Sequence, residues 1–209
     1  MYYVAIFLVR VAYTIWYNLK LEGKENIPRG ESAIYTSNHR TYADPPLVVL
    51  GVNSRFSFMA KEELFKNKLF AWLIRSLGAF PVSRGKGDST AIDTSIEVLK
   101  KGRNLVIFPE GTRSKDGKVG KGKTGAALVA AKSGAKVVPV GIVFEGEKLR
   151  FRTKIRVIYG KPINTAEYIT NSEEPNPREL VKLKNAFMYE IKRMVEGEEA
   201  VEAIAEKGE

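Results

Sequence analysis

The chain of 209 residues contains no cysteine and a single histidine, His39. The missing cysteine excludes disulfides, thiolate metal sites and a cysteine nucleophile. A zinc centre takes three or four ligands, and one histidine with no cysteine argues against one, so no metal is expected. The serine-nucleophile pattern Gly-x-Ser-x-Gly is missing. No internal repeat, low-complexity tract or interdomain linker interrupts the chain. Acidic residues are scarce outside one end. There are 24 Asp and Glu against 34 Lys and Arg, a net charge of +10, and residues 173–209 hold 10 of the acids against 6 bases. The rest of the chain is therefore more basic than the whole. Such a surplus suits a polyanionic partner: nucleic acid, an anionic membrane or a phosphorylated substrate. No nucleic-acid reading motif is recognisable, and the apolar start of the chain argues against that partner. Hydrophobic residues make up 44%, enough to build a packed core.

Residues 1–19, MYYVAIFLVRVAYTIWYNL, carry one charge, Arg10. A helix of that length spans about 28 Å, close to the roughly 30 Å hydrocarbon core of a bilayer. A spanning helix would set Arg10 at mid-membrane, which is costly. The segment lacks the basic start and small-residue cleavage site of a signal peptide. Arg10, Thr14 and Asn18 recur every four residues and form one polar stripe on an apolar helix. Tyr2, Tyr3, Tyr13, Trp16 and Tyr17 gather toward its ends, and such rings favour the membrane–water interface. The pattern predicts a helix lying in one leaflet, followed by Lys20 and Lys24 for anionic headgroups. A helix buried in a soluble core is the competing reading. Residues 1–24 are thus expected as a membrane-associating helical element, monotopic on the cytoplasmic face of the cell membrane. Residues 25–209 are expected as one domain with a helical, acidic carboxyl end.

Strand-like and helix-like stretches alternate through that domain. Strands are predicted over 32–37, 55–60, 79–82, 104–108, 136–143 and 154–159. Helices are predicted over 47–50, 62–77, 88–101, 124–133 and 177–195, with Gly78, Gly102 and Gly134 as stops. This order predicts an α/β fold around a mixed, largely parallel sheet flanked by helices.

His39 lies in SNHRTYADPP, five residues before Asp44. On a regular helix the two would point about 140° apart. They meet only if the chain turns between them. Asp is favoured just before a helix and Pro at its first position. Asp44 is therefore expected to cap a helix opened by Pro45, with residues 40–43 folding its carboxylate toward the ring. A carboxylate on one ring nitrogen fixes the tautomer and raises the basicity of the other, which can take a proton from a hydroxyl. A structural histidine beside a capping aspartate is the other reading of this spacing.

FPEGTRS, residues 108–114, follows the buried run NLVIF. Positions just past the carboxyl end of a strand commonly build a site in α/β sheets. Gly111 permits close approach of a ligand, and Arg113 offers a planar fork for phosphate oxygens. The following SKDGKVGKGKT carries Lys115, Lys118, Lys121 and Lys123, either as ligands or as a solvated basic loop. Lys61, ending one predicted strand, and Arg84, in FPVSRG, are further candidates for phosphate or headgroups.

These blocks together resemble the glycerolipid acyltransferase family, most closely its lysophosphatidate acyltransferases. The His-x4-Asp motif is His39–Asp44, and FPVSRG (80–85), FPEGTRS (108–114) and VPVGI (138–142) follow in the family's order. The resemblance implies acyl transfer from acyl-CoA or acyl-carrier protein to the sn-2 hydroxyl of lysophosphatidate, without a cofactor. His39 would be the base and Asp44 its partner. Glu110, Gly111, Thr112 and Arg113 would shape the acceptor site, with Arg113 and Arg84 on the phosphate and Lys61, Lys121 and Lys123 as further substrate contacts. Val119 and Gly120 stand where the family often has an aromatic, and Tyr42-Ala43 where Trp-Leu is frequent. Acylation of glycerol 3-phosphate or another lysophospholipid would use the same motifs. A non-enzymatic lipid-binding module is a reading from a different class.

Overall fold

The computed structural model describes residues 2–82, 89–146 and 148–198. The first helix, α1 (Tyr2–Trp16), ends before Asn18 because Asn18–Glu22 pair into the sheet as edge strand β1. NLKLE alternates polar and apolar as a strand should, but in the sequence it continues the apolar helix without a break and looks like its tail. Strand β2 (Ala33–Ser37) comes next, then helix α2 (Asp44–Val49), strand β3 (Phe56–Lys61), helix α3 (Lys68–Ser76) and strand β4 (Ala79–Val82). After these follow α4 (Ser89–Lys100), β5 (Asn104–Ile107), α5 (Gly125–Ser133), β6 (Lys136–Phe144), β7 (Lys154–Tyr159) and α6 (Pro177–Glu196).

The single helix expected over 62–77 forms as two pieces, a 3-10 turn at Glu62–Phe65 and α3. Asn67 separates them. Its backbone is extended and its side chain accepts the Phe70 N–H, so the helix starts anew at Lys68. Gly78 ends α3 with φ 92°, where a Cβ would clash with the Phe56 carbonyl oxygen. Only glycine lets the chain pass that close.

The seven strands lie in the order β1-β7-β6-β2-β5-β3-β4. The five from β6 to β4 run parallel, β7 runs antiparallel to β6, and β1 runs parallel to β7. All five residues of β2 are buried, as befits a central strand covered on both faces. One face carries the cluster of Tyr35, Leu47, Val48, Phe56, Val140, Ile155 and Tyr159, onto which Ile6, Val9 and Tyr13 of α1 pack. The other face carries Leu99, Leu105, Ala127, Ala130, Leu183, Phe187 and Ile191. Leu183, Phe187 and Ile191 repeat every fourth residue along α6, so one stripe of that helix is buried.

Arg10 is half-buried with its Nε buried, whereas Thr14 is exposed and Asn18 belongs to β1, so the expected polar stripe does not form one face of the helix. Val4, Phe7, Leu8, Val11 and Ile15 form the exposed side. Among the described residues no helix is long and apolar enough to cross a membrane.

The topology places a crevice. From β2 the chain crosses through α2 toward the β4 edge, and from β5 it crosses through α5 toward the β1 edge. Adjacent strands whose connections leave in opposite directions open a cleft at their carboxyl ends. Here those strands are β2 and β5, and the segments leaving them are NHRTYADPP and FPEGTRS.

Candidate active site

Asn38 anchors the first segment. Its amide donates to the Ile142 carbonyl at 2.9 Å and accepts the Ile142 N–H at 2.8 Å, so the side chain extends the β2–β6 pairing where the main chain has turned away. His39 follows at the mouth of the crevice. Its Nδ1 lies 2.8 Å from Asp44 Oδ2, and the ring keeps 13% exposure while the carboxylate keeps 1%.

The turn between them closes on the carboxylate. Asp44 Oδ2 also accepts the N–H groups of Arg40 (2.6 Å) and Thr41 (2.7 Å), and Oδ1 accepts the Thr41 hydroxyl (2.6 Å). An ion held by that many donors is fixed in place and accepts only. The His39 Nδ1 must then carry the proton, which leaves Nε2 as the basic nitrogen. The expectation that Asp44 caps its helix is corrected here. Ala43 occupies the cap position, no side chain caps it, and Asp44 is the first helical residue. Its oxygens are taken by the preceding turn instead.

FPEGTRS meets the histidine from the neighbouring strand. The Phe108 ring stacks on the His39 ring with centroids 4.1 Å apart. The His39 carbonyl accepts the Ser114 N–H at 2.7 Å. Glu110 is buried, and both its oxygens accept main-chain donors: His39 N–H at 2.9 Å and Gly120 N–H at 3.0 Å. Burial pushes its carboxyl above the usual range, against the opposing pull of those two bonds. Gly111 turns at φ 73° with its N–H donated to the Phe108 carbonyl.

Arg113 is exposed and lies flat on Tyr42, 3.8 Å from ring centre to guanidinium carbon, with Nη2 donating to the Tyr42 hydroxyl at 3.1 Å. Lys123 donates its N–H to the Pro109 carbonyl, and its ammonium lies beside Gly111. Thr112 and Lys121 are exposed on the same loops. Lys61 stands at the carboxyl end of β3, paired with Glu63 at 2.8 Å. Arg84 lies outside the described residues. Among the described residues no three of His, Cys, Asp and Glu gather so as to hold a metal ion.

Several residues that build this site carried no signal in the sequence. Asn38 and Phe108 act through partners far along the chain. Arg40 lies over the Phe144 ring at 3.9 Å and donates to the Phe144 and Gly146 carbonyls, which ties the histidine turn to the end of β6. Glu196, at the end of α6, accepts the Val119 N–H at 2.6 Å and holds the basic loop from its other side. The arrangement can remove a proton from a hydroxyl at His39 Nε2 beside an exposed guanidinium.

A family model described as Acyltransferase matches residues 18–143, which include both halves of the crevice. The chain is 35% identical over 159 residues to a chloroplastic 1-acyl-sn-glycerol-3-phosphate acyltransferase of Arabidopsis thaliana, a match that covers 71% of this chain and 44% of that one. It is 31% identical over 182 residues to the 1-acyl-sn-glycerol-3-phosphate acyltransferase of Bacillus subtilis, covering 84% and 87%. The chain thus spans under half the length of the plant relative and most of the Bacillus one. Among solved structures, the 1-acyl-sn-glycerophosphate acyltransferase PlsC of Thermotoga maritima superposes with a TM-score of 0.71 at 29% identity, covering 98% of this chain and 80% of that one. A family model that matches residues 18–143 and a relative 31% identical over 84% of the chain establish the family: the chain belongs to the acyltransferase family.

Proposed function

We propose that the protein transfers an acyl chain from acyl-CoA or acyl-carrier protein to the sn-2 hydroxyl of lysophosphatidate, giving phosphatidate. The observation that carries this is the His39 Nδ1–Asp44 Oδ2 bond, 2.8 Å long, made to a carboxylate that three other groups already hold. His39 Nε2 takes the acceptor's hydroxyl proton as the oxygen attacks the thioester carbonyl. The tetrahedral oxyanion collapses, the C–S bond breaks, and the thiolate leaves with the proton that the imidazolium returns. The nucleophile belongs to the substrate, so no acyl-enzyme forms.

Arg113 binds the acceptor phosphate, joined by Arg84, Lys61, Lys121 and Lys123, while Gly111 and Thr112 border the acceptor. Glu110 serves through the main chain it holds. The reaction uses no cofactor. Helix α1 lies in one leaflet on the cytoplasmic face, its apolar side outward and Arg10 turned to the protein, so no charge enters the hydrocarbon. The test is release of free thiol from acyl-CoA on addition of lysophosphatidate, with glycerol 3-phosphate and lysophosphatidylcholine as competing acceptors. Faster thiol release with either competitor would replace lysophosphatidate as the substrate.

A further inference from the structure

Helix α3 turns a row of large apolar side chains to solvent. Leu69, Trp72 and Leu73 stand at i, i+3 and i+4, hence on one side of the helix, and are 77%, 57% and 45% exposed. Phe70 beside them and Leu64 in the preceding turn are exposed as well. The inward side is anchored by Ala71, the buried residue of the helix. Cations border the row: Lys66, Lys68 and Arg75 are exposed, and Arg75 leans over the Phe65 ring at 5.0 Å. A contiguous apolar surface of this kind marks a contact. Its rim of cations and its tryptophan suit an anionic lipid surface.

Position selects the same partner. Helix α3 links β3 to its parallel neighbour β4. A right-handed crossover sets it on the side of the sheet that carries α1 and α2, opposite α4, α5 and α6. The exposed apolar side of α1 therefore looks out from the same side of the molecule as the α3 row. A flat surface can meet both.

We infer that α3 is a second bilayer contact, and that its occupant is a leaflet containing anionic lipid. The inference rests on the proposal that α1 lies in a leaflet. The two contacts together orient the carboxyl ends of the strands, with the His39 crevice, relative to the membrane plane.

The chain has two tryptophans, and each of the two helices carries one: Trp16 in α1 and Trp72 in α3. Trp16→Phe leaves Trp72 as the sole reporter, and Trp72→Phe leaves Trp16. Each full-length variant is mixed with vesicles of phosphatidylcholine and phosphatidylglycerol whose acyl chains are brominated near the headgroup. Trp72 emission is expected to shift to the blue and be quenched, as is Trp16 emission. Lys66→Gln with Lys68→Gln lowers partition into these vesicles by about thirtyfold, while turnover of a short-chain acceptor below its micelle concentration stays unchanged. Unquenched Trp72 with quenched Trp16 overturns the α3 contact and leaves the α1 reading standing; both unquenched overturns both. A blue shift of Trp72 that grows with protein concentration in the absence of vesicles assigns the face to a second copy, which also overturns it.

Discussion

Glu110 grips the main chain of His39. One carboxylate oxygen accepts the His39 N–H at 2.9 Å and the other accepts the Gly120 N–H at 3.0 Å. The acid of the FPEGTRS block thus works as a strut between the β2 and β5 loops and the basic loop beyond. Its value to the reaction lies in where it sets the imidazole.

That strut has a pH signature. Burial raises the Glu110 carboxyl above its ordinary 4.5, so the folded protein binds this proton more readily than the unfolded chain. The corresponding stabilisation is fully present below about 4.5 and is lost as pH rises through the raised value. Denaturant unfolding of wild type and Glu110→Gln, followed in a pH series upward from the ordinary 4.5, checks this. Wild type is expected to lose stability relative to the variant as pH rises; a gain with rising pH would contradict it. At neutral pH the variant also places an amide NH₂ against a main-chain N–H, costing about 1–3 kcal/mol.

Asp44→Asn tests orientation and charge apart from folding. The amide oxygen can replace Oδ2, and the NH₂ can donate to Thr41 Oγ, which reverses its bond. The turn should survive, with the unfolding midpoint close to wild type. Loss of the anion removes the stabilisation of the imidazolium formed during attack, so kcat is expected to fall by about 10²–10⁴. An unchanged kcat would make the pair structural only.

Arg113→Ala is expected to raise KM for lysophosphatidate by about 10–100-fold, the worth of a charge-assisted phosphate contact. The effect should shrink with an acceptor lacking the phosphate. Tyr42→Ala, which removes the ring under the guanidinium, should give a smaller rise of about threefold to tenfold. Tyr42→Phe keeps the ring and loses only the hydroxyl contact, so it should lie between wild type and Tyr42→Ala.

How much of this was legible in the sequence depends on the range of each interaction. Helix α6 forms where the sequence predicts it, over 177–195, because what builds it is local: Asn176 caps it, Pro177 opens it and Leu183, Phe187 and Ile191 repeat every fourth residue. The His39–Asp44 contact followed from spacing plus two prolines, and the helix start was misplaced by one residue because the turn outbids the helix for the carboxylate. Strand β1 was missed because its pairing partner, β7, lies 136 residues further along, at Asn18↔Lys154. Asn38 was equally silent: its partner is Ile142, 104 residues away. The break at Asn67 was local and readable as a cap, but the apolar run around it masked it.

Asn38→Ala removes both bonds to the Ile142 main chain within a buried setting. Two unmet backbone groups are expected to cost about 2–4 kcal/mol in denaturant unfolding. Because His39 is the next residue, kcat should fall as well even where the protein is fully folded. A variant with wild-type stability would show that the side chain does not carry the β2–β6 junction.

The central claim is that the lone imidazole strips the lipid hydroxyl. Detergent-purified protein is mixed with lysophosphatidate and acyl-CoA, and free thiol is followed with time for wild type and for His39→Ala. Thiol release by wild type that drops by at least about 10³-fold in the variant, with cooperative unfolding retained, is the predicted result. Equal thiol release by the two proteins would contradict it.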